Sequence, residues 1–91
     1  MTLTVRAIIA IVEREYALPE LFRPPRTAPR SHGRKVVYWL AREALGRTWG
    51  QIGQATGRDK QTVRHGNQTL GLGAKELELY ERISKEAQSD N

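Results

Sequence analysis

Residues 48–70 read TWGQIGQATGRDKQTVRHGNQTL, and this stretch decides the fold. Thr48 and Gln51 have the spacing of a capping box, in which each side chain satisfies a free amide at the start of a helix. Trp49, Ile52 and Ala55 follow at helical spacing and are expected to face inward. Gly57 breaks that helix, and Asp59 is placed to cap a second one that runs to about Leu70, anchored by Val63 and Leu70. Two short helices about a glycine turn, the second rich in Lys, Gln, Thr, Arg and His, form a helix-turn-helix pattern.

Working toward the N-terminus, Ser31 is expected to cap a helix reaching about Leu45, with Val36, Val37, Leu40, Ala41 and Ala44 on its buried face and Gly46 as its stop. Before it, residues 23–30 read RPPRTAPR; three prolines remove amide donors and bias their predecessors to extended backbone, which predicts a stiff arginine-bearing loop. The first helix is capped by Thr2 or Thr4 and turns Val5, Ile8, Ile9, Val12 and Tyr16 inward. Leu18-Pro19 ends it, with a short turn carrying Leu21 and Phe22 into the core. Beyond Gly71-Leu72-Gly73 a last helix places Leu77, Tyr80 and Ile83 inside and its acids outside. No segment alternates as a strand does. The expected fold is all-α: about five helices in a single domain over residues 1–87, with a disordered tail at 88–91.

Charge is concentrated in the middle of the chain. The formal charge is +5 overall. Residues 1–22 carry two Arg against three Glu, net −1; residues 23–65 carry ten Lys/Arg against Glu43 and Asp59, net +8; residues 66–91 carry three basic groups against five acids, net −2. Such focusing is the electrostatic footprint of a polyanionic partner. There is no cysteine, and only His32 and His65 are histidines, which argues against disulfides, a metal cluster or a thiol nucleophile. No apolar run approaches the roughly 20 residues of a membrane span, and the apolar stretch at 7–12 runs directly into Glu13-Arg14-Glu15 without a signal-like cleavage region. A cytoplasmic, nucleoid-associated, non-enzymatic monomer without cofactor is the expectation, and no heptad pattern signals a coiled coil.

Residues 8–70 resemble the C-terminal DNA-binding domain of the bacterial replication initiator DnaA. The matching pieces are Tyr16 and Leu21, the basic loop, Leu40-Ala41-Arg42-Glu43, and the run from Ile52 to Gly66. That family's signature runs Ile-Gly, then Gly-Arg-Asp-His-Thr-Thr-Val with a His two positions later. This chain keeps Ile52, Gly53, Gly57, Arg58, Asp59, Thr62, Val63 and His65 in order. It departs at Lys60, where the family has His, at Gln61, where it has Thr, and in lacking one glycine of the turn. No phosphate loop of an ATPase module is expected in these residues: Gly66 and Gly71 have phosphate-loop spacing, but Leu72-Gly73 stands in place of Lys-Ser/Thr.

The resemblance implies a stand-alone domain that binds double-stranded DNA and acts in control of replication or transcription. Residues opening the recognition helix face base edges in helix-turn-helix proteins, which nominates Asp59, Lys60, Gln61 and Thr62. Gln pairs with adenine, Lys donates to guanine and Asp accepts from cytosine; pure helix capping or a solvated helix start is the competing reading at each. Arg26 lies where the family's loop arginine enters the minor groove, with phosphate attraction as the alternative. Arg23, Arg30, Arg34, Lys35, Arg42, Arg58, Arg64 and His65 are candidate contacts to the DNA backbone, and the resemblance supports Arg34, Lys35, Arg42 and His65 in that role. A buried structural position is the other reading of His65. Trp49 is expected in the helix-turn-helix core. Of the adjacent Tyr38 and Trp39, one is expected inside and one outside, the outer one a candidate protein contact. The alternative function is a protein-interaction module that binds a replication or regulatory partner through the same fold.

Overall fold

The structure, a computed structural model, describes residues 3–89. Its five helices follow from local capping chemistry, and no strand occurs among the described residues. Helix α1 (Val5–Glu15) starts where the Thr4 hydroxyl accepts the Ala7 amide at 3.1 Å. Thr2, the other candidate cap, lies outside the described residues. Val5, Ile8 and Val12 form its buried stripe. The chain then turns through Ala17 and Glu20, both at positive φ, and the Glu13 carboxylate accepts the Leu21 amide at 2.8 Å to hold the turn. Leu21 is fully buried and Phe22 half-buried.

Helix α2 (Ala28–Glu43) begins four residues earlier than a cap at Ser31, which the sequence suggests, would place it. Thr27 is the N-cap, and Pro29 falls in the first turn. A proline is tolerated there because a first-turn amide has no intrahelical acceptor to lose. The arginine loop is therefore only residues 23–27, and Arg30 belongs to a helix. Val36, Val37, Leu40 and Ala41 are buried and Ala44 partly so, on the face anticipated. Gly46, at φ +67°, ends the segment.

Helix α3 (Trp49–Thr56) has both halves of the capping box: Thr48 Oγ1 accepts the Gln51 amide at 3.1 Å and Gln51 Oε1 accepts the Thr48 amide at 2.9 Å. Its inward face runs through Ile52, Gly53 and Thr56, with Trp49 half-buried on the same stripe. That choice rotates Ala55 outward, against expectation. Gly53 is buried because the helix-turn-helix closes onto it; a Cβ there would lie 2.5 Å from the Arg58 carbonyl oxygen. Helix α4 (Lys60–Gln68) follows the left-handed Gly57 and is capped by Asp59, whose Oδ1 accepts the Thr62 amide at 2.8 Å. It ends two residues before Leu70, turning Val63 and Gly66 inward.

Helix α5 (Ala74–Ser89) runs into the stretch expected to be a disordered tail; the rest of that stretch, 90–91, lies outside the described residues. Its buried side chains are Glu76, Leu79 and Ile83, with Tyr80 half-buried. Leu77, expected inside, is 51% exposed. The face set by 76, 79, 80 and 83 leaves position 77 about 100° off the core direction. The central core joins Ile8 and Val12 of α1, Leu21, Val36, Val37 and Leu40 of α2, Ile52 of α3, Val63 of α4 and Ile83 of α5. Tyr38 is buried, and Trp39 is half-buried with its ring 5.3 Å from that of Tyr80, so neither aromatic stands free in solvent.

Candidate nucleic-acid interface

Helix α4 crosses the middle of α2 at close range because residue 66 has no side chain: a Cβ at Gly66 would meet the Tyr38 ring at 2.8 Å. Between the two helices and the arginine loop runs a groove of about 460 Å³. Arg26 comes from the loop; Ser31, Arg34, Lys35 and Tyr38 from α2; Arg58 and Asp59 from the α3–α4 turn; Gln61, Thr62, His65 and Gly66 from α4. Eight of the residues nominated from sequence thus meet in one concavity, although they come from three separate parts of the chain.

The electrostatics of this groove are one-sided. Arg26, Arg34, Lys35 and Arg58 line it against a single carboxylate, Asp59. Asp59 is held below the usual carboxylate range chiefly by the Thr62 amide that it caps, so it stays ionised and engaged with the helix start. Burial lowers the Arg34 guanidinium from its ordinary value, and the like charges of Arg58, Arg30 and Arg26 push in the same direction. Burial raises the Tyr38 phenol, opposed by the positive field of Arg58, Arg34 and Arg26. An excess of positive charge around a concavity is an arrangement that attracts anions.

The nominated residues outside the groove, together with Arg34 on its wall, divide into two groups. Lys60 and Arg64 are exposed on α4 but do not line the groove, and Arg23 is exposed and pairs with Glu20 at 3.3 Å. By contrast, Arg30, Arg34 and Arg42 hold backbone carbonyls. Arg30 donates to Pro19 O at 2.9 Å, to Arg23 O at 2.7 Å and to Glu20 O. Arg34, only 7% exposed, donates from Nε to Leu21 O at 2.8 Å and from Nη2 to Arg23 O at 3.0 Å. Arg42, toward the C-terminal end of α2, donates to Arg47 O at 3.1 Å and lies 4.7 Å from the centre of the Trp49 ring. Arg30 and Arg34 thus brace the 19–23 turn, each through part of its guanidinium donors. His65 is exposed on the groove and is no buried core residue.

Two features escape the sequence reading. Ser31 and Tyr38 line the groove; the α2 helical spacing 31, 34, 35, 38 is the signal that would have found them. The second is a polar cluster on α5. Buried Glu76 accepts the Tyr16 hydroxyl at 2.6 Å and the Gly73 amide at 2.6 Å, with His32 Nε2 at 3.4 Å. Burial alone would raise the Glu76 carboxyl, but the hydrogen bonds from Tyr16 and Gly73 outweigh it and hold the group below its usual range. Among the described residues no group of three or more His, Cys, Asp or Glu is placed to hold a metal ion, and no helix is long and apolar enough to cross a membrane. Comparison with protein-family models, with curated proteins and with solved structures found no match to this chain.

Proposed function

We propose that this protein is a sequence-specific binder of double-stranded DNA, acting in control of replication or transcription. In this reading α4 enters the major groove and the loop at 23–27 lies along the minor groove or its phosphates. The observation that carries it is the gathering of Arg26, Lys35, Arg58, Gln61, Thr62 and His65 on one concavity whose only carboxylate is a helix cap. Gln61 and Thr62 sit in the first turn of the second helix of a helix-turn-helix, where side chains reach base edges, while the surrounding cations position the protein on phosphates. The likeness of residues 8–70 to the replication initiator's DNA-binding domain supports the same reading. The departures at Lys60 and Gln61 argue for a different preferred site.

The test is selection from a random duplex pool, followed by a salt series on the winning sequence. The expected outcome is one enriched motif, preference for duplex over single strands, and log affinity falling with log salt by about 0.9 for each phosphate neutralised. No enrichment, together with equal binding to single strands, would refute the reading. A second reading, a protein-interaction module, has Leu72 and Leu77 behind it, 50% and 51% exposed. It becomes the better account if duplex binding is absent and a Leu77→Ser variant loses a partner that the unaltered chain retains.

A further inference from the structure

Three consecutive carbonyls, those of Leu21, Phe22 and Arg23, accept guanidinium donors from two different elements. Arg34 of α2 takes the outer two, at 2.8 and 3.0 Å; Arg58 of the α3–α4 turn takes the middle one, Nη2 to Phe22 O, at 3.1 Å. The Phe22 ring lies near both guanidinium groups, its centroid 5.9 Å from the Arg34 carbon and 5.5 Å from that of Arg58. Two like charges converge on one aromatic side chain. The carbonyl dipoles and the ring face offset their repulsion.

We propose that Arg58 is a positioning residue that fixes the arginine loop relative to the recognition helix. The proposal rests on the DNA-binding reading of the groove and adds a mechanical link to it. At one end the link is rigid: the Arg58 amide donates to Gly53 O at 3.0 Å, and the next residue is Asp59, the cap of α4. At the other end, Phe22 leads into Arg23-Pro24-Pro25-Arg26, where the prolines restrict the backbone between the clasp and Arg26. Arg30 and Arg34 tie the same turn to α2, and Arg58 adds a hydrogen bond to it from the helix-turn-helix. The arm and α4 then meet DNA as one preset body, without a separate ordering cost at binding.

Arg58→Lys and Arg58→Met test this. Lys keeps the charge, but one ammonium does not hold the Phe22 carbonyl and cover its ring together; Met keeps the unbranched stem without charge. The first readout needs no DNA: trypsin cleavage of the Arg26–Thr27 bond, followed by mass spectrometry, with circular dichroism to establish that the helices persist. The neighbouring Arg23–Pro24 bond resists trypsin, so the Arg26 cut reports the loop. Cleavage should rise roughly tenfold in Met, as expected for loss of a charged hydrogen bond, and by a smaller factor in Lys. If Met fails to fold, Lys carries the test. The second readout uses the selected duplex. Arg26→Ala should weaken binding in the unaltered chain and cost little more in the Arg58→Lys background, whose salt slope should stay unchanged. Unchanged cleavage in the folded variants overturns the proposal, as does an undiminished cost of Arg26→Ala in the Lys background. Faster cleavage with no duplex binding by any form upholds the clasp while overturning the DNA-binding reading.

Discussion

Gly66 shows how a single missing side chain shapes the groove. It sits within α4, where glycine is less favourable than alanine by about 1 kcal/mol. The compensating gain is the close crossing of α4 over Tyr38, whose ring leaves a Cβ no room at 2.8 and 2.9 Å. Gly66→Ala should therefore lower stability by about 1–2 kcal/mol despite its better helix propensity, because overpacking outweighs the backbone term. Urea denaturation measures this directly. In a Tyr38→Leu background the same change should cost much less, since the two residues share one contact. A stabilising Gly66→Ala in the unaltered chain would mean that the crossing is not tight.

At the scale of the element, α4 separates two residues that adjacency in sequence makes look equivalent. Gln61 lines the groove and Lys60 does not, although both are exposed in the first turn. If α4 reads bases, Gln61→Thr should change the preferred base at one position by roughly tenfold or more, the scale of one bidentate contact. Lys60→His should change it less. Competition between single-base variants of the selected duplex tests the order, and a larger effect at Lys60 would contradict it. The same element scale explains the misplaced residues. Caps are legible because Thr48, Gln51 and Asp59 act on amides three residues away. Which face turns inward is not local: Ala55 and Leu77 fit an apolar stripe, yet the docking of α3 and α5 selects stripes through Thr56 and Glu76 instead.

Across the whole molecule, α5 is fastened to α1 and α2 by polar groups as well as by Leu79 and Ile83. Glu76 meets Tyr16 and His32, while Arg82 and Lys75 reach the Glu15 carboxylate and carbonyl. The Glu76 carboxyl is depressed below its ordinary 4.5 in the folded chain. A group depressed by folding contributes its stability in full above the unfolded value and loses it as pH falls through the folded one. Stability should accordingly fall on acidification through and below pH 4.5, and Glu76→Gln should flatten that limb. At neutral pH the same substitution should cost about 1–3 kcal/mol, because one amide oxygen replaces an ionised acceptor serving both Tyr16 and Gly73. Urea midpoints measured across this pH range for both proteins decide the matter. Parallel acid limbs would show that Glu76 is not the group responsible.

The helices and their ends were determined by the sequence itself, because capping side chains, prolines and glycines act within about four residues. The helix-turn-helix and the basic midsection were legible for the same reason: both are local patterns of residue type. Even the misjudged start of α2 is a local matter, since Thr27 and Ser31 are both able caps and Pro29 suits a first turn as well as a loop. What only the tertiary structure decided is the use to which each charged side chain is put. Arg58 finds its acceptor 36 residues away and Tyr16 meets Glu76 60 residues away. A guanidinium that binds a carbonyl within the fold and one left to meet a partner are identical in sequence. The difference lies in whether packing brings an unsatisfied carbonyl within about 3 Å, and that is settled only when the helices have docked.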